Sequence, residues 1–240
     1  MNWDVTVVEE TGSTNADLLK SDGPEGSVLV ARHQTAGRGR LGRTWHTPKG
    51  EALTFSALLR PDAAIPPSRR GWLPLAAGVA VATAVRDLCD LTVSLKWPND
   101  VLHARRKLSG ILAEQSASGA VVIGIGLNVS ATEDELPPPG PGGLVPTSLA
   151  VAGRPDAEPD ALLAAILDDL GRRYDVLRGG GSIRGEYVAW CGTLGQPVRV
   201  ELPGDKTMTG TATGIDEDGR LLVETVAVSA GDVIHLRLQS

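Results

Sequence analysis

The sequence predicts an α+β fold, a mixed and largely antiparallel sheet backed by helices, followed by a small all-β barrel. Two patterns lead to this class. Strand-like and helix-like segments alternate over residues 1–190, and several strands are joined by links too short for a crossover helix. From about residue 197 only short strand-like segments remain, separated by turn sequences. The expected domains are 1–190 and 191–240, the second close to the lower size limit for independent folding.

The N-terminal half is expected to begin with a strand at Val5–Val8. A helix should start at Ser13, because Ser-Thr-Asn followed by Asp17 is a typical helix start. Two strands come next, and then a long helix rich in Ala, Val and Leu that is apolar on most faces and should be buried. These three segments are Ser27–Gln34, Leu53–Arg60 and Leu73–Cys89.

Three further strands should follow in quick succession, and their short connections predict antiparallel hairpins. They are Thr92–Trp97, Lys107–Gln115 and Val121–Val129. The Pro/Gly-rich stretch Leu136–Pro146 predicts a loop without regular structure. Two helices and four short strands complete the expected chain, at Asp160–Leu177, Glu186–Trp190, Pro197–Leu202, Thr207–Ile215, Leu221–Thr225 and Val233–Leu238.

The composition is that of an ordinary globular protein: 240 residues, 42% hydrophobic, with a formal net charge of −6. This charge argues against broad nucleic-acid binding, because no chain-wide basic excess is present to neutralise phosphates. No apolar run is expected to reach the length of a membrane span, and the N-terminus does not resemble a signal peptide. Cys89 and Cys191 lack metal-binding spacing, so we expect core thiols in a reducing cytoplasm and no bound metal.

One segment contrasts with the acidic chain. In the stretch TAGRGRLGRTW, residues 35–45 and here called the arginine loop, three arginines and three glycines fall within seven residues. The glycine spacing matches the dinucleotide fingerprint, but Pro48, Gly50 and a strand follow where that fingerprint needs a helix N-terminus. A P-loop is also excluded, because no Lys-Ser or Lys-Thr follows the last glycine. Guanidinium groups on a flexible loop are suited to binding carboxylate and phosphate oxygens. The alternative is a solvated basic loop that binds nothing.

Three other motifs place polar groups at strand ends. KWPND (96–100) ends a strand with a rigid Trp-Pro step and two polar side chains, although a plain turn explains it equally well. KLSGILAE (107–114) begins a half-buried strand with a lysine and contains a glycine that permits close backbone approach. GIGLN (124–128) sets two glycines and an amide at the end of an apolar strand.

Taken in order, together with GSTN (12–15) and TSL (147–149), these motifs resemble the biotin protein ligases. GDVIHLR (231–237) is similar to the family's C-terminal SH3-like barrel, so the likeness covers the whole chain. It implies the class II synthetase-like catalytic domain that biotin and lipoate ligases share. Since the first expected strand begins near residue 4, the resemblance is to the monofunctional kind, without the N-terminal helix-turn-helix domain of the repressor members.

The resemblance implies a two-step ligation. Biotin and MgATP give biotinyl-5′-AMP and pyrophosphate, and one lysine of a biotin carboxyl carrier domain, such as that of acetyl-CoA carboxylase, then takes the biotin and releases AMP. It implies no tightly bound protein metal and no nucleic-acid or membrane partner. Two anions must approach each other in the first step, so positioned positive charge is the expected catalytic device.

The implied site residues follow from the same motifs. Lys107 should bridge the carboxylate and the α-phosphate, Asp100 should orient or deprotonate the incoming amine, and Arg40 should act at the phosphates. The biotin-binding residues implied are Ser13, Thr14, Asn15, Gln34, Gly37, Arg38, Lys107 and Gly110. The ATP-binding residues implied are Arg38, Arg40, Arg43, Trp45, Asn99, Lys107 and Asn128, with Trp45 against the adenine.

Several alternatives stay open at this point. Ser13 and Thr14 serve equally well as a helix cap, and both roles can hold at once. The chain could transfer lipoate or octanoate instead of biotin. It could also be a non-catalytic biotin or nucleotide sensor, although a sensor needs no amine-activating carboxylate beside Lys107. Trp72 and Trp97 are expected in the core.

Overall fold

The computed structural model describes residues 1–46, 48–202, 204, 206–229 and 231–236. Within them a seven-stranded sheet forms the larger part of the molecule. Its strands, in spatial order, are β1 (Asp4–Val8), β2 (Ser27–Ala31), β3 (Ala52–Leu59), β7 (Val121–Asn128), β6 (Arg106–Gln115), β5 (Asp100–His103) and β4 (Val93–Lys96). β1 and β2 are parallel, and every other neighbouring pair is antiparallel. The predicted α+β class is confirmed.

Helices cover both faces of this sheet. α1 (Thr14–Ser21) packs on one face, and α2 (Trp72–Cys89) packs on the other. Two further helices, α3 (Pro159–Arg178) and α4 (Arg184–Trp190), pack against α2. The side chains of β3 alternate accordingly: Leu58 joins the cluster under α1, while Phe55 joins the larger core under α2. Because both faces are covered, the sequence of β3 is almost continuously apolar.

The apolar helix α2 corrects one expectation. The segment Pro67–Cys89 has 23 residues and contains an 18-residue apolar stretch with a mean hydropathy of 1.3, which would suffice by length and composition to cross a membrane. In the fold, 72% of this apolar stretch is buried, between the sheet and the helices that flank it. Its hydrophobicity on all sides is that of a central core helix.

The connection between β4 and β6 also differs from expectation. A turn was predicted there, whereas the structure has the short strand β5, paired with β4 on one side and β6 on the other. With only Val101 and Leu102 as apolar residues, this strand is defined by its two ladder partners and not by its own propensity. Its pairing with β6 shifts register at these two residues, which forms a β-bulge. Trp97 and Trp72 are buried, as predicted.

The C-terminal part forms a second, five-stranded antiparallel sheet. Its strands are β8 (Pro197–Leu202), β9 (Lys206–Ile215), β10 (Leu221–Val223), β11 (Val226–Val228) and β12 (Asp232–His235). β11 was not expected, because a turn at Glu224, with φ 53°, ends the predicted strand early. The expected strand Val233–Leu238 and the motif residue Arg237 extend beyond the described residues. Buried side chains of this sheet, among them Val198 and Ile215, continue the core of the first.

Candidate active site

A cavity of about 250 Å³ opens beside β3, β6 and β7, below the arginine loop. Every sequence-predicted site residue except Gly37 lines it. Gly37 belongs to the arginine loop but not to the cavity lining, and its carbonyl accepts a 2.9 Å hydrogen bond from the backbone N–H of Trp45. Further lining residues come from the proline-rich loop and from β12: Pro137, Pro138, Gly140, Leu144, Pro146, Asp232, Val233 and Ile234. The proline-rich loop and the second sheet therefore both contribute to a site that the sequence placed in the first domain.

One end of the cavity is a polar network at the start of α1. The side-chain carbonyl of Gln34 accepts hydrogen bonds from the backbone N–H of Thr14 at 2.8 Å and from its hydroxyl at 3.0 Å. The Thr14 hydroxyl also lies 2.7 Å from that of Ser56. Ser13 caps the helix, with its hydroxyl 3.5 Å from the backbone nitrogen of Ala16, so its cap role is present.

Asn15 is held on both sides in the same network. Its Nδ2 donates to Glu114 Oε2 at 2.9 Å, and its Oδ1 accepts from the Ser56 hydroxyl at 2.5 Å. Sequence reasoning assigned no role to Ser56 or Glu114. Ser56 could have been noticed as the hydroxyl inside an apolar, fully buried strand, and Glu114 as the charged end of KLSGILAE. Gly124 makes room for this arrangement, because a methyl group there would overlap the Asn15 amide.

The floor of the cavity is a pair of glycines facing each other across β6 and β7, Gly110 and Gly126. The indole of Trp45 lies directly over them, and a methyl group on Gly126 would overlap its ring. The Trp45 Nε1 is buried and has no hydrogen-bond partner among the described residues. The arginine loop thus already places its aromatic residue against the sheet.

The reactive end of the cavity is built around a buried carboxylate. Lys107 Nζ lies 2.7 Å from Asp100 Oδ1, and Lys96 Nζ lies 3.5 Å from Asp100 Oδ2. The bulge and the proline-rich loop fix the backbone of Lys107: its N–H donates to the Val145 carbonyl, and its own carbonyl accepts from Thr147, both at 2.8 Å. Lys107 Nζ is also 5.9 Å from the centre of the Trp45 ring, within cation–π range.

These contacts set the protonation state of Asp100. Burial alone would raise the pKa of this carboxyl, but the charges of Lys107 and Lys96 outweigh it and hold the pKa below its ordinary value. Burial lowers the pKa of the Lys96 ammonium, and the carboxylate of Asp100 counters part of that shift. Because a carboxylate with a lowered pKa is a weak base, Asp100 is better suited to orienting an amine than to deprotonating it.

The arginine loop is folded over the cavity and tied to the second sheet. Arg40 Nη1 donates to Asn99 Oδ1 at 3.0 Å and to the Gly231 carbonyl at 3.3 Å. Arg43 forms an ion pair with Asp232, and Arg38 Nη1 lies 3.6 Å from Glu114 Oε1. Burial lowers the pKa of the Arg40 guanidinium, while Asp100 acts in the opposite direction.

A second link joins KWPND to the C-terminal sheet. The Thr193 hydroxyl accepts from the backbone N–H of Trp97 at 3.0 Å and pairs with His235 Nε2 at 3.1 Å. Trp97 Nε1 donates to the Gly219 carbonyl at 3.0 Å. Burial, together with the charges of Lys96 and Arg105, lowers the pKa of His235 to about 4, so its imidazole is neutral at pH 7.

One further predicted residue, Asn128, has a buried side chain. Asn128 donates from Nδ2 to the Thr147 carbonyl at 2.8 Å, and its Oδ1 is buried without a partner in the described part of the chain. That oxygen is free to accept a hydrogen bond from a ligand. Over the same residues, no group of three or more His, Cys, Asp or Glu side chains could hold a metal ion.

Comparison with known proteins agrees with this architecture. Residues 5–128 match the biotin/lipoate A/B protein ligase family, and residues 193–236 match the biotin protein ligase C terminal domain. The chain is 42% identical to a biotin–[acetyl-CoA-carboxylase] ligase of Mycobacterium tuberculosis, over 96% of this chain and 88% of that one. It is 31% identical to the Escherichia coli bifunctional ligase/repressor BirA, over 92% of this chain and 69% of that one.

Solved structures give the same result. A biotin protein ligase from Aquifex aeolicus, in complex with biotin and ATP, superposes with a TM-score of 0.82 at 28% identity, over 98% of this chain and 99% of that one. The two family matches and the superposition thus cover both sheets. The chain belongs to the biotin protein ligases.

Proposed function

We propose that this chain is a biotin–[biotin carboxyl-carrier protein] ligase. It activates biotin with MgATP as biotinyl-5′-AMP and transfers it to a lysine of the carboxyl carrier domain of an acyl-CoA carboxylase. The names of its relatives support this activity. The observation that carries it is the placement of Lys107, Arg40 and Arg43 around one cavity that ends in the polar network at the start of α1. The proposal includes a cytoplasmic location, no nucleic-acid or membrane partner, and a boundary between domains at 190/191.

In the first step, a carboxylate oxygen of biotin attacks the α-phosphorus of ATP. The new O–P bond forms as the bond to the bridging oxygen breaks, and pyrophosphate leaves with that electron pair. Two unit negative charges about 4 Å apart repel by roughly 4 kcal/mol at an effective dielectric constant near 20. Lys107 offsets this repulsion at the reacting oxygens, and Arg40 and Arg43 offset it along the phosphates.

The two ends of the cavity bind different parts of the substrates. Ser13, Thr14, Asn15 and Gln34, with the backbone of Arg38 and Gly110, hold the biotin ring system, whereas Gly37 lies outside the cavity lining. Trp45, Asn99 and Asn128 hold the nucleoside. The unpartnered Asn128 Oδ1 and Trp45 Nε1 support this division, because each is a buried polar atom that a ligand could satisfy.

In the second step, the neutral amine of the carrier lysine attacks the biotinyl carbonyl. The N–C bond forms, the C–O bond to phosphate breaks, AMP leaves, and the amine proton passes to solvent. Asp100 orients the amine by accepting its hydrogen bond, in keeping with a carboxylate whose pKa is low.

Acid-dependent exchange of labelled pyrophosphate into ATP tests the proposal. We expect exchange with biotin, and none with lipoate, octanoate or no acid. A purified carrier domain should then gain the mass of one biotin. Exchange with lipoate in place of biotin would assign the chain to the lipoate ligases, and biotin binding without any exchange would make it a binding module.

A further inference from the structure

Asp100 is shared by two lysines that approach it in different ways. Lys96 and Asp100 face each other across the β4–β5 ladder, so their contact is fixed by strand register. Lys107 reaches the other carboxylate oxygen from the bulged strand β6. Side-chain exposure is 13% for Lys96, 27% for Lys107 and 9% for Asp100. Both lysines line the cavity, and Lys96 is the more enclosed of the two.

This arrangement answers a problem posed by the first reaction step. To bridge the biotin carboxylate and the α-phosphate, Lys107 must share its three ammonium hydrogens among those two anions and Asp100, which weakens its contact with Asp100. A buried carboxylate left without a cation is strongly destabilised, and that cost would hold Lys107 in place. Arg40 does not supply the missing charge contact, because its hydrogen bonds go to Asn99 and Gly231. Lys96 supplies this charge contact through Asp100 Oδ2, whereas Lys107 contacts Oδ1.

We propose that Lys96 is a positioning residue that keeps Asp100 neutralised while Lys107 engages the reacting anions. The inference rests on the role proposed for Lys107. Lys96 itself contacts Asp100 and leaves the ligand to Lys107. Its charge affects adenylation only because Asp100 is an anion, and this dependence makes the inference testable.

The test compares Lys96→Met, Lys96→Arg, Lys107→Ala and the double variant Lys96→Met/Asp100→Asn, with the exposed Lys20→Met as matched control. Biotin-dependent pyrophosphate exchange measures the first step alone. The role of Asp100 in the transfer step therefore does not affect the measured rate. We expect Lys96→Met to lower kcat for exchange by about tenfold or more. The KM for biotin and the KM for ATP should each stay within about twofold, since uniform binding is unaffected.

The charge-conserving and double variants separate this role from a structural one. Lys96→Arg should keep most of the exchange rate. Lys96→Met/Asp100→Asn should exchange about tenfold faster than Lys96→Met, because Lys107 no longer faces an unpaired anion. Circular dichroism on each variant identifies any that fail to fold. The double variant lacks both the Lys96 ammonium and the buried Asp100 carboxylate, so it leaves no unpaired carboxylate and can still be compared with the parent protein.

The outcomes that overturn the inference are distinct. A rise in the KM for ATP with unchanged kcat would make Lys96 a direct ligand of the nucleotide. No recovery in the double variant would also reject the positioning role. If Lys96→Met exchanges at the parent rate while Lys107→Ala is slow, this inference alone fails. If Lys107→Ala also exchanges at the parent rate, the proposed role of Lys107 fails first.

Discussion

At the scale of single residues, the site depends on where one ammonium group is held. Lys107 stands at a β-bulge, opposite Leu102 of β5, and its backbone N–H and carbonyl are both hydrogen-bonded at the end of the proline-rich loop. A bulge re-aims a side chain relative to a regular strand. Here it turns Lys107 toward Asp100 and the cavity, so that the cation is in position before substrates arrive.

Removing that ammonium should affect chemistry more than binding. We expect Lys107→Ala to slow biotinyl-AMP formation by about a hundredfold or more, the usual effect of losing one charge-stabilising group. Biotin affinity should fall much less, because the polar network at the start of α1 is intact. Pyrophosphate exchange and calorimetric titration with biotin measure the two effects, and Lys20→Ala, on the exposed side of α1, is the control. Adenylation at the parent rate would contradict the assignment.

At the scale of elements, the arginine loop is held over the cavity by its three arginines. Arg40, Arg43 and Arg38 are each paired with an oxygen atom of another element. Each such hydrogen bond contributes roughly 0.5–1.5 kcal/mol net and each partly exposed ion pair roughly 0–1 kcal/mol, comparable with or less than the roughly 1–2 kcal/mol that ordering one residue costs. The resting position of the loop is therefore only weakly favoured, and phosphate oxygens can replace these partners.

Arg40→Gly should weaken the closed loop more than it weakens chemistry at Lys107. With two hydrogen bonds lost, about 1–3 kcal/mol, we expect the variant to release biotinyl-AMP about tenfold faster or more. Released adenylate should label lysines of a bystander protein, measured by intact mass. The exposed turn variant Arg105→Gly is the control, since its backbone, at φ 64°, already suits glycine.

Limited proteolysis within residues 38–43 measures independently whether the arginine loop closes on the ligands. Cleavage of the parent protein should slow when biotin and ATP are both present. Protection that does not respond to ligand would reject closure of the loop. So would an Arg40→Gly variant that is inactive and releases no adenylate.

The same scale shows what the sequence could and could not predict. Long elements such as α2, α3 and β7 were predicted because their hydrophobic pattern extends over many residues. The short strands β5 and β11 were missed, because their pairing partners define them. Among the site residues, the motifs supplied nearly all of the cavity wall. Glu114, Ser56 and Asp232 received no role, since each acts through contacts with residues far away in sequence.

At the scale of the whole molecule, the two sheets share one core and several polar links, of which the pairing of Thr193 with His235 is the most sensitive to pH. The imidazole is partly buried, and its pKa of about 4 lies below the ordinary 6.5. The unfolded chain therefore binds the proton at a higher pH than the folded chain does. The contribution of the neutral His235 imidazole to the free energy of unfolding is present above about pH 6.5 and is lost as the pH falls toward about 4.

We expect the loss over that window to be about 1–2 kcal/mol, reduced from the full shift because the ring is partly exposed. Thermal melting of the parent and of His235→Gln between pH 7 and pH 4 measures it. The variant should have a lower melting temperature at pH 7 and a shallower decline below pH 6.5. His103→Gln is the control, and equal slopes for parent and His235→Gln would refute the link.

The contact between Arg40 and the Gly231 carbonyl joins residues 191 positions apart. In a chain synthesised from its N-terminus, all seven strands of the first sheet, which end at Asn128, leave the ribosome before β12 does. Contacts of such high sequence separation are among the last to form during folding. Until then, the arginine loop lacks the partners that Gly231 and Asp232 provide. The time at which the site can first retain a reactive adenylate is thus set by the arrival of β12, after the residues that perform the chemistry are already folded.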